Sequence, residues 1–162
     1  MNKALFIIDV QKGFINKFTE HIPSNIEKIL PDYKFLIVKK FRNKKNSLFV
    51  RNIGWDKMME GDHLDLAFDV SNFKGEFHSK FLCRYSGVNR KCLKLLRKNK
   101  ITDVYLGGIS TRSCVLATAY ALFDEGFNVH ILPHICGSTS GEEEHLLGLD
   151  FLKRDIDKSI KI

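Results

Sequence analysis

Short apolar runs alternate along this chain with segments whose apolar residues recur at helical spacing. Five of the runs have the length and composition of strands in a parallel sheet. A sixth run, near the end of the chain, indicates a strand only weakly. The strands predicted in this way cover residues 3–9, 34–41, 76–80, 103–109, 127–132 and 155–162. Helices are predicted between them, at residues 24–30, 88–99, 113–125 and 141–152.

This alternation of strands and helices predicts an α/β fold. We expect a single-domain parallel sheet of five to six strands with helices on both faces, a three-layer α/β/α arrangement, over residues 1–162. The stretch from 42 to 75 is predicted to be irregular, and loops of this length are more often functional than idle.

The composition narrows the class of protein. Of the 162 residues, 44% are hydrophobic and 28% are charged, which is typical of a soluble globular domain. The apolar start is too short for a signal peptide, and no run approaches the roughly 18 apolar residues of a membrane span. We therefore expect a cytoplasmic protein with no membrane partner.

The positive net charge raises the question of whether the protein binds nucleic acid. A net charge of +7 and a pI near 9.2 are compatible with nucleic-acid binding, and much of the positive charge lies at residues 39–45 and 90–100. No recognisable nucleic-acid motif accompanies this charge, and lysine-rich faces are usually solvated surface. We therefore expect no specific nucleic-acid partner.

The candidate chemistry begins at Cys114. This thiol follows a predicted strand and lies in the first turn of a predicted helix, where unpaired N–H groups and the helix dipole favour a thiolate. Sites in parallel sheets form at the carboxyl ends of strands, and Asp9 and Lys80 also lie at strand ends. We expect the three residues to converge. The other cysteines lack the close pairing of a zinc cluster or disulfide framework, so all four are expected to be free thiols.

Three segments carry a resemblance to a known family. Residues 6–14, residues 78–80 with Tyr85 and Ser86 downstream, and residues 107–119 resemble the isochorismatase-like cysteine hydrolases, which include nicotinamidases and related amidases. The resemblance covers nearly the whole chain, with its segments in the family's order.

The resemblance implies a catalytic triad and a local backbone feature. The triad would be Asp9, Lys80 and Cys114, and a cis peptide bond would join Ile109 to Ser110. The backbone N–H groups of Ser110 and Cys114 would then form an oxyanion hole.

These residues predict hydrolysis of a small amide-like C–N bond through a cysteine thioester. Lys80 and the helix N-terminus would stabilise the thiolate, while Asp9 would take its proton and later protonate the leaving amine. Three alternatives remain open: vinyl-ether hydrolysis as in isochorismatases, a non-catalytic binding protein, and a redox-responsive thiol protein.

The chain departs from nicotinamidases after the second predicted strand. Those enzymes carry an Asp-x-His pair and further histidines there, which hold a metal, whereas residues 41–51 contain no histidine. We therefore expect no metal and no other cofactor. The basic loop at residues 39–51 could instead attract a small-molecule substrate that carries a carboxylate, with a solvated loop as the alternative.

The sequence also suggests residues that line a substrate pocket and an oligomeric assembly. The substrate-pocket candidates are Phe14, Phe49, Trp55, Tyr85 and His134. Members of the family are commonly oligomeric and this chain is rich in phenylalanine, so we expect a homo-oligomer.

Overall fold

The central strand of the sheet begins almost at the start of the chain. A computed structural model describes residues 2–162, which form five strands and five α-helices. The strands are β1 (Lys3–Ile8), β2 (Phe35–Phe41), β3 (Glu76–Leu82), β4 (Asp103–Ile109) and β5 (Asn128–Gly137). The helices are α1 (Ile22–Ile29), α2 (Leu48–Ile53), α3 (Arg90–Lys98), α4 (Leu116–Asp124) and α5 (Glu142–Asp155).

All strand pairs are parallel, in the order β3-β2-β1-β4-β5. Alternate residues of β1 enter different cores, because successive side chains of a strand point to opposite faces. Phe6 and Ile8 pack with residues of α3, α4 and α5, while Leu5 and Ile7 pack with residues of α1. The predicted α/β class, with a parallel sheet and helices on both faces, is confirmed.

Some predicted boundaries are wrong. Residues 155–162 form no strand; α5 continues to Asp155, and Ile160 is buried in the core instead. The first helix begins at Ile22, so Pro23 lies in its first turn, where a missing backbone N–H removes no helical hydrogen bond. β5 extends to Gly137, five residues beyond its predicted end.

The stretch from 42 to 75 contains a helix that the sequence analysis did not predict. Ser47 caps α2, because its hydroxyl accepts a hydrogen bond from the Val50 N–H. Gly54, with φ of 67°, ends it in the left-handed region that glycine adopts readily. A short 3₁₀ turn, Asp62–Leu64, follows.

The cysteine segment also differs from its prediction. Residues Thr111–Val115 form one turn of π-helix before α4 begins, whereas a regular helix was predicted from residue 113. Such π turns are rare and frequently occur at functional sites. α5 packs against this turn, which brings the end of the chain to the cysteine segment.

The sequence analysis also made predictions about membrane association, cellular location and assembly. None of the helices in residues 2–162 has the length and the apolar composition that a membrane span requires. The cytoplasmic location and the homo-oligomer stay predictions.

The close packing of α5 on the π turn generates a test of stability. A Cβ added at Gly148 would lie 2.7 Å from the backbone N of Arg112 and 2.9 Å from the carbonyl carbon of Thr111. Backbone atoms cannot move aside as a flexible side chain can. We expect Gly148→Ala to lower the free energy of unfolding by about 1–3 kcal/mol in urea denaturation.

A neighbouring substitution serves as the control. Leu147→Ala lies on the same helix at a side chain that is 44% exposed, and its expected effect is less than about 1 kcal/mol. Equal losses in the two variants would contradict the close-packing argument.

Candidate active site

The carboxyl end of β1 lies between two strands that both contribute to the site. Ile8 pairs in register with Lys39 of β2 on one side and with Gly108 of β4 on the other. Asp9 therefore leaves the sheet between the strand that carries Lys39 and the strand that leads to Cys114.

Asp9 has an unusual backbone conformation. Its φ is 55°, in the left-handed region that non-glycine residues rarely adopt, and its N–H donates to the Lys39 carbonyl at 2.9 Å. Strained conformations of this kind persist where the surrounding structure enforces them, and they cluster at functional sites. The chain thus turns sharply at the residue whose carboxylate enters the site.

A buried ion pair joins Asp9 to Lys39. The Lys39 ammonium donates to Asp9 Oδ2 at 2.7 Å, and both side chains are only 1% exposed. The same ammonium donates to the Tyr85 carbonyl at 3.3 Å and lies 5.1 Å from the centre of the Phe41 ring. Buried charges need such partners, because removing an unpaired charge from water costs several kcal/mol.

The second oxygen of Asp9 has no hydrogen-bond partner. Oδ1 is buried, and within residues 2–162 no donor is bonded to it. Buried polar atoms are nearly always satisfied, so this oxygen is free to accept a proton or a hydrogen bond during a reaction.

Asp9 and Cys114 are close enough for each to shift the pKa of the other. Burial raises the pKa of Asp9 to about 6, against the opposing effects of Lys39 and of the nearby Cys114 thiol. Burial is also the largest cause that raises the pKa of the Cys114 thiol, and the Asp9 charge raises it further, while Lys39 lowers it. At neutral pH this arrangement places a negative charge on Asp9 and a proton on Cys114.

The nucleophile segment is held by close packing and by backbone geometry. Gly108 has φ of 139°, and a Cβ there would lie 2.0 Å from the Ile8 carbonyl oxygen, so the position requires glycine. The peptide bond between Ile109 and Ser110 is cis. The Ser110 carbonyl accepts hydrogen bonds from the N–H groups of Ser113 and Val115, which close the π turn around Cys114.

Side-chain hydrogen bonds fix both ends of this segment. The Thr111 hydroxyl lies 2.8 Å from His145 Nδ1 on α5 and 3.2 Å from the Gly137 carbonyl oxygen. The Thr118 hydroxyl donates to the Cys114 carbonyl at 2.7 Å and accepts from the Gly87 N–H at 2.8 Å. The loop after β3 is therefore tied to the helix that carries the cysteine.

Lys80 lies elsewhere. It is exposed on β3, the edge strand, and it pairs in register with Lys39 of the adjacent β2. Among the hydrogen bonds and ion pairs of residues 2–162, none joins Lys80 to Asp9 or Cys114. The expected convergence of three residues therefore holds for Asp9 and Cys114 but not for Lys80, because β2 separates β3 from β1 and contributes its own lysine.

Four of the five pocket candidates form one aromatic cluster. Trp55 stacks on Phe14 with ring centres 6.2 Å apart, and Phe49 contacts both Trp55, at 6.1 Å, and Tyr85, at 4.9 Å. Phe41, which the sequence analysis did not single out for the pocket, joins Phe49 at 4.9 Å. Because the Tyr85 carbonyl binds Lys39, the cluster adjoins the ion pair.

His134 does not join this cluster. It is exposed within β5 rather than beyond its end, and its carbonyl accepts a hydrogen bond from Asn25 of α1. From the sequence, His134 was expected after the strand, because the predicted strand ended at residue 132 whereas β5 extends to Gly137. The structure thus places His134 away from the other candidates.

Gln11 is a positioning residue that the sequence analysis did not assign. Its buried amide donates to the carbonyls of Phe41 and Leu64 at 3.0 and 2.9 Å and accepts from the Phe41 N–H at 2.6 Å. The side chain therefore joins the end of β2 to the 3₁₀ turn beside the aromatic cluster. The Asp-x-Gln spacing at residues 9–11 was the sequence signal for it.

Cavities open beside the aromatic cluster. One of about 730 Å³ is lined by Phe14, Trp55 and His63 among others. Another, of about 620 Å³, is lined by Phe49 and Tyr85 together with Lys44, Arg51 and Arg84. Among the ion pairs of residues 2–162, none includes these three cations. We call this second cavity the basic mouth.

The donor set after β2 does not fit a metal ion. The Asn43 side-chain oxygen accepts from the Ser47 hydroxyl and the Lys44 N–H, and its amide group donates to the carbonyls of Trp55 and Lys57. All its polar atoms are therefore used within the loop. Within residues 2–162, no three His, Cys, Asp or Glu side chains are grouped as metal ligands.

Comparison with known proteins identifies the family. A family model for the isochorismatase domain matches residues 3–156. The chain therefore belongs to the isochorismatase family, a family of isochorismatase-like hydrolases. The resemblance drawn from residues 6–14, 78–80 and 107–119 is confirmed.

Individual relatives are distant. Isochorismatase family protein 2B of Dictyostelium discoideum is 26% identical over 149 residues, which make up 86% of this chain and 64% of that protein. The chain thus spans less than two thirds of this relative.

Two solved structures share the fold. Nicotinamidase PncA from Bacillus subtilis has a TM-score of 0.79 and 20% identity, over 94% of this chain and 95% of that chain. N-carbamoylsarcosine amidase from Thermoplasma acidophilum has a TM-score of 0.77 and 18% identity, over 100% of both chains.

Proposed function

We propose that this protein is a cysteine hydrolase that cleaves a small amide-like C–N bond through a thioester on Cys114. The observation that carries the proposal is the buried Asp9 oxygen without a hydrogen-bond partner, next to a thiol whose proton it can accept. The amidases among the structural neighbours support the reaction class, because they share the fold.

Asp9 acts as the general base in this proposal. The raised pKa of Cys114 keeps the proton on sulfur in the resting enzyme, so the nucleophile forms only when Asp9 removes that proton. The pKa of Asp9, raised to about 6 by burial, leaves the carboxylate ionised at pH 7 and yet basic enough to accept it. The two shifts therefore suit a proton transfer that accompanies attack.

The reaction then proceeds in two halves. Sulfur attacks the carbonyl carbon as its proton passes to Asp9, and the tetrahedral intermediate collapses when the C–N bond breaks and Asp9 protonates the leaving amine. Water next attacks the thioester and gives a proton to Asp9. The C–S bond breaks, the acid leaves, and the proton returns to Cys114.

The backbone N–H groups of Ser110 and Cys114 would stabilise the negative oxygen of both tetrahedral intermediates. The π turn and the close approach at Gly108 support this role, because they hold the segment rigidly beside the thiol. The loss of one such donor typically costs about 10²–10³ in rate.

The surroundings favour a substrate with an apolar part and a carboxylate. The aromatic cluster offers flat apolar surface, and the basic mouth beside it offers three cations without an ion-pair partner among the described residues. Because the donors at Asn43 do not fit a metal ion, no step of the mechanism uses one, and we expect chelators to leave the activity unchanged.

The first test is covalent capture of the substrate. We expect intact-mass spectrometry to detect an acyl adduct on wild-type protein incubated with a panel that includes nicotinamide, N-carbamoyl amino acids and an electrophilic carbonyl probe. Peptide mapping should place the adduct on Cys114, and Cys114→Ala should abolish it and reduce hydrolysis at least 10³-fold.

Cys92→Ala is the matched control, since this free thiol is also partly buried but lies on α3 and does not line the basic mouth. The control should keep the adduct and the activity. Hydrolysis without any adduct would point to the vinyl-ether reaction, which needs no thioester. Absence of both adduct and hydrolysis would contradict the proposed function.

The raised pKa of Asp9 predicts an acid limb in the pH dependence. The base must be ionised, so kcat/KM should fall about tenfold per pH unit below pH 6, whereas an ordinary aspartate would keep the activity down to about pH 4. Circular dichroism at each pH should show that the protein stays folded. A constant kcat/KM from pH 7 to 4.5 would exclude Asp9 as a base with a raised pKa.

The basic mouth predicts selectivity for a carboxylate. Arg84→Gln should raise KM about five- to tenfold for an N-carbamoyl amino acid, with kcat unchanged, because about 1 kcal/mol of charge attraction is lost. The KM of the corresponding uncharged amide should not change. Lys94→Gln, an exposed position on α3, is the control and should affect neither substrate. Equal changes for the two substrates would contradict this role.

A further inference from the structure

The buried ammonium beside Asp9 comes from a different strand than the sequence analysis predicted. Lys39 is the last residue of β2 paired with β1, and it lies on the same face of the sheet as Ile37, towards α3 and α4. Cys114 packs against the core on that face. A lysine at this register position therefore meets both the end of β1 and the cysteine segment.

The ammonium group of Lys39 forms its hydrogen bonds within the candidate site. The ammonium donates to Asp9 Oδ2 and to the Tyr85 carbonyl, and the stem is buried. Its positive charge lowers the pKa of both Asp9 and Cys114, which shows that it acts on both groups between which a proton would move. Within residues 2–162, no other ammonium or guanidinium is bonded to Asp9.

Lys80 offers a natural comparison. It pairs in register with Lys39, so its side chain lies on the same face of the sheet, one strand further from β1. Adjacent strands are about 4.8 Å apart, and Lys39 already occupies the space between Lys80 and Asp9. Lys80 is exposed, whereas the Lys39 side chain is 1% exposed.

We propose that Lys39 of β2 is the catalytic lysine, and that Lys80 of β3 has no part in the reaction. This assignment rests on the proposed hydrolysis through Cys114. Lys39 holds Asp9 Oδ2 and thereby leaves Oδ1 to receive the thiol proton. The positive charge also stabilises the thiolate as it forms, and no further proton needs to move.

The test compares the two lysines in the same assay. Lys39→Met removes the charge and keeps most of the side-chain volume, and it should reduce kcat at least 100-fold. Lys80→Met should keep kcat within about threefold. In Lys39→Met the acid limb of kcat/KM should move to higher pH, because Asp9 loses the neighbouring positive charge that favours its ionised form.

A measurement without substrate separates this proposal from the proposed function. Alkylation of Cys114 by iodoacetamide at fixed pH, mapped by peptide mass, should be about tenfold or more slower in Lys39→Met, since one pKa unit changes the thiolate fraction tenfold. Lys80→Met should react at the wild-type rate. If no substrate is found but these rates hold, the lysine assignment stands while amide hydrolysis is rejected.

Folding is checked by circular dichroism and thermal denaturation. Because removal of one member of a buried ion pair can cost about 3–5 kcal/mol, Asp9→Asn/Lys39→Met provides a folded reference in which neither charge is present. If Lys39→Met does not fold, Lys80→Met decides alone: unchanged kcat and alkylation support the proposal. A 100-fold loss in Lys80→Met, or a folded Lys39→Met with more than a tenth of wild-type kcat, would overturn it.

Discussion

The candidate site depends on one buried ion pair, between Asp9 and Lys39. Each charge makes the other tolerable in the interior, where an unpaired ion would cost several kcal/mol. Because the pair uses only one oxygen of Asp9, the other is left without a partner beside Cys114. The pair therefore explains how the carboxylate stays buried and why, in the proposed reaction, one of its oxygens is available for proton transfer.

Three adjacent strands of the sheet position the residues of this site. β1 ends at Asp9, β2 contributes Lys39, and β4 leads through Gly108 into the π turn that carries Cys114. Hydrogen bonds from the outer elements then fix these parts, since Gln11 binds the end of β2 and the Thr118 hydroxyl binds the Cys114 carbonyl. The candidate catalytic groups are thus positioned mainly by regular structure, which holds them more rigidly than loops can.

The sequence predicted the elements whose signals are local. The apolar runs of β1, β2 and β4 were recognised within a residue or so, because strands buried on both faces have continuous apolar sequence. The missed helix α2 had a local signal too, since Ser47 and Gly54 mark its ends, but its exposed apolar residues lack a helical pattern. The π turn had no such signal, because its bonding pattern depends on the packing of β4 and α5.

Asp9, Cys114 and the family were accessible from the sequence alone. Asp9 directly follows an apolar strand, and Cys114 lies in the distinctive segment that follows β4. The lysine was not accessible in this way. Lys39 and Lys80 both lie at or near the end of a predicted strand, and the sequence does not state which of the two strands is adjacent to β1. The strand order decided it: β2 lies between β3 and β1, so its lysine is buried against Asp9 while Lys80 faces solvent.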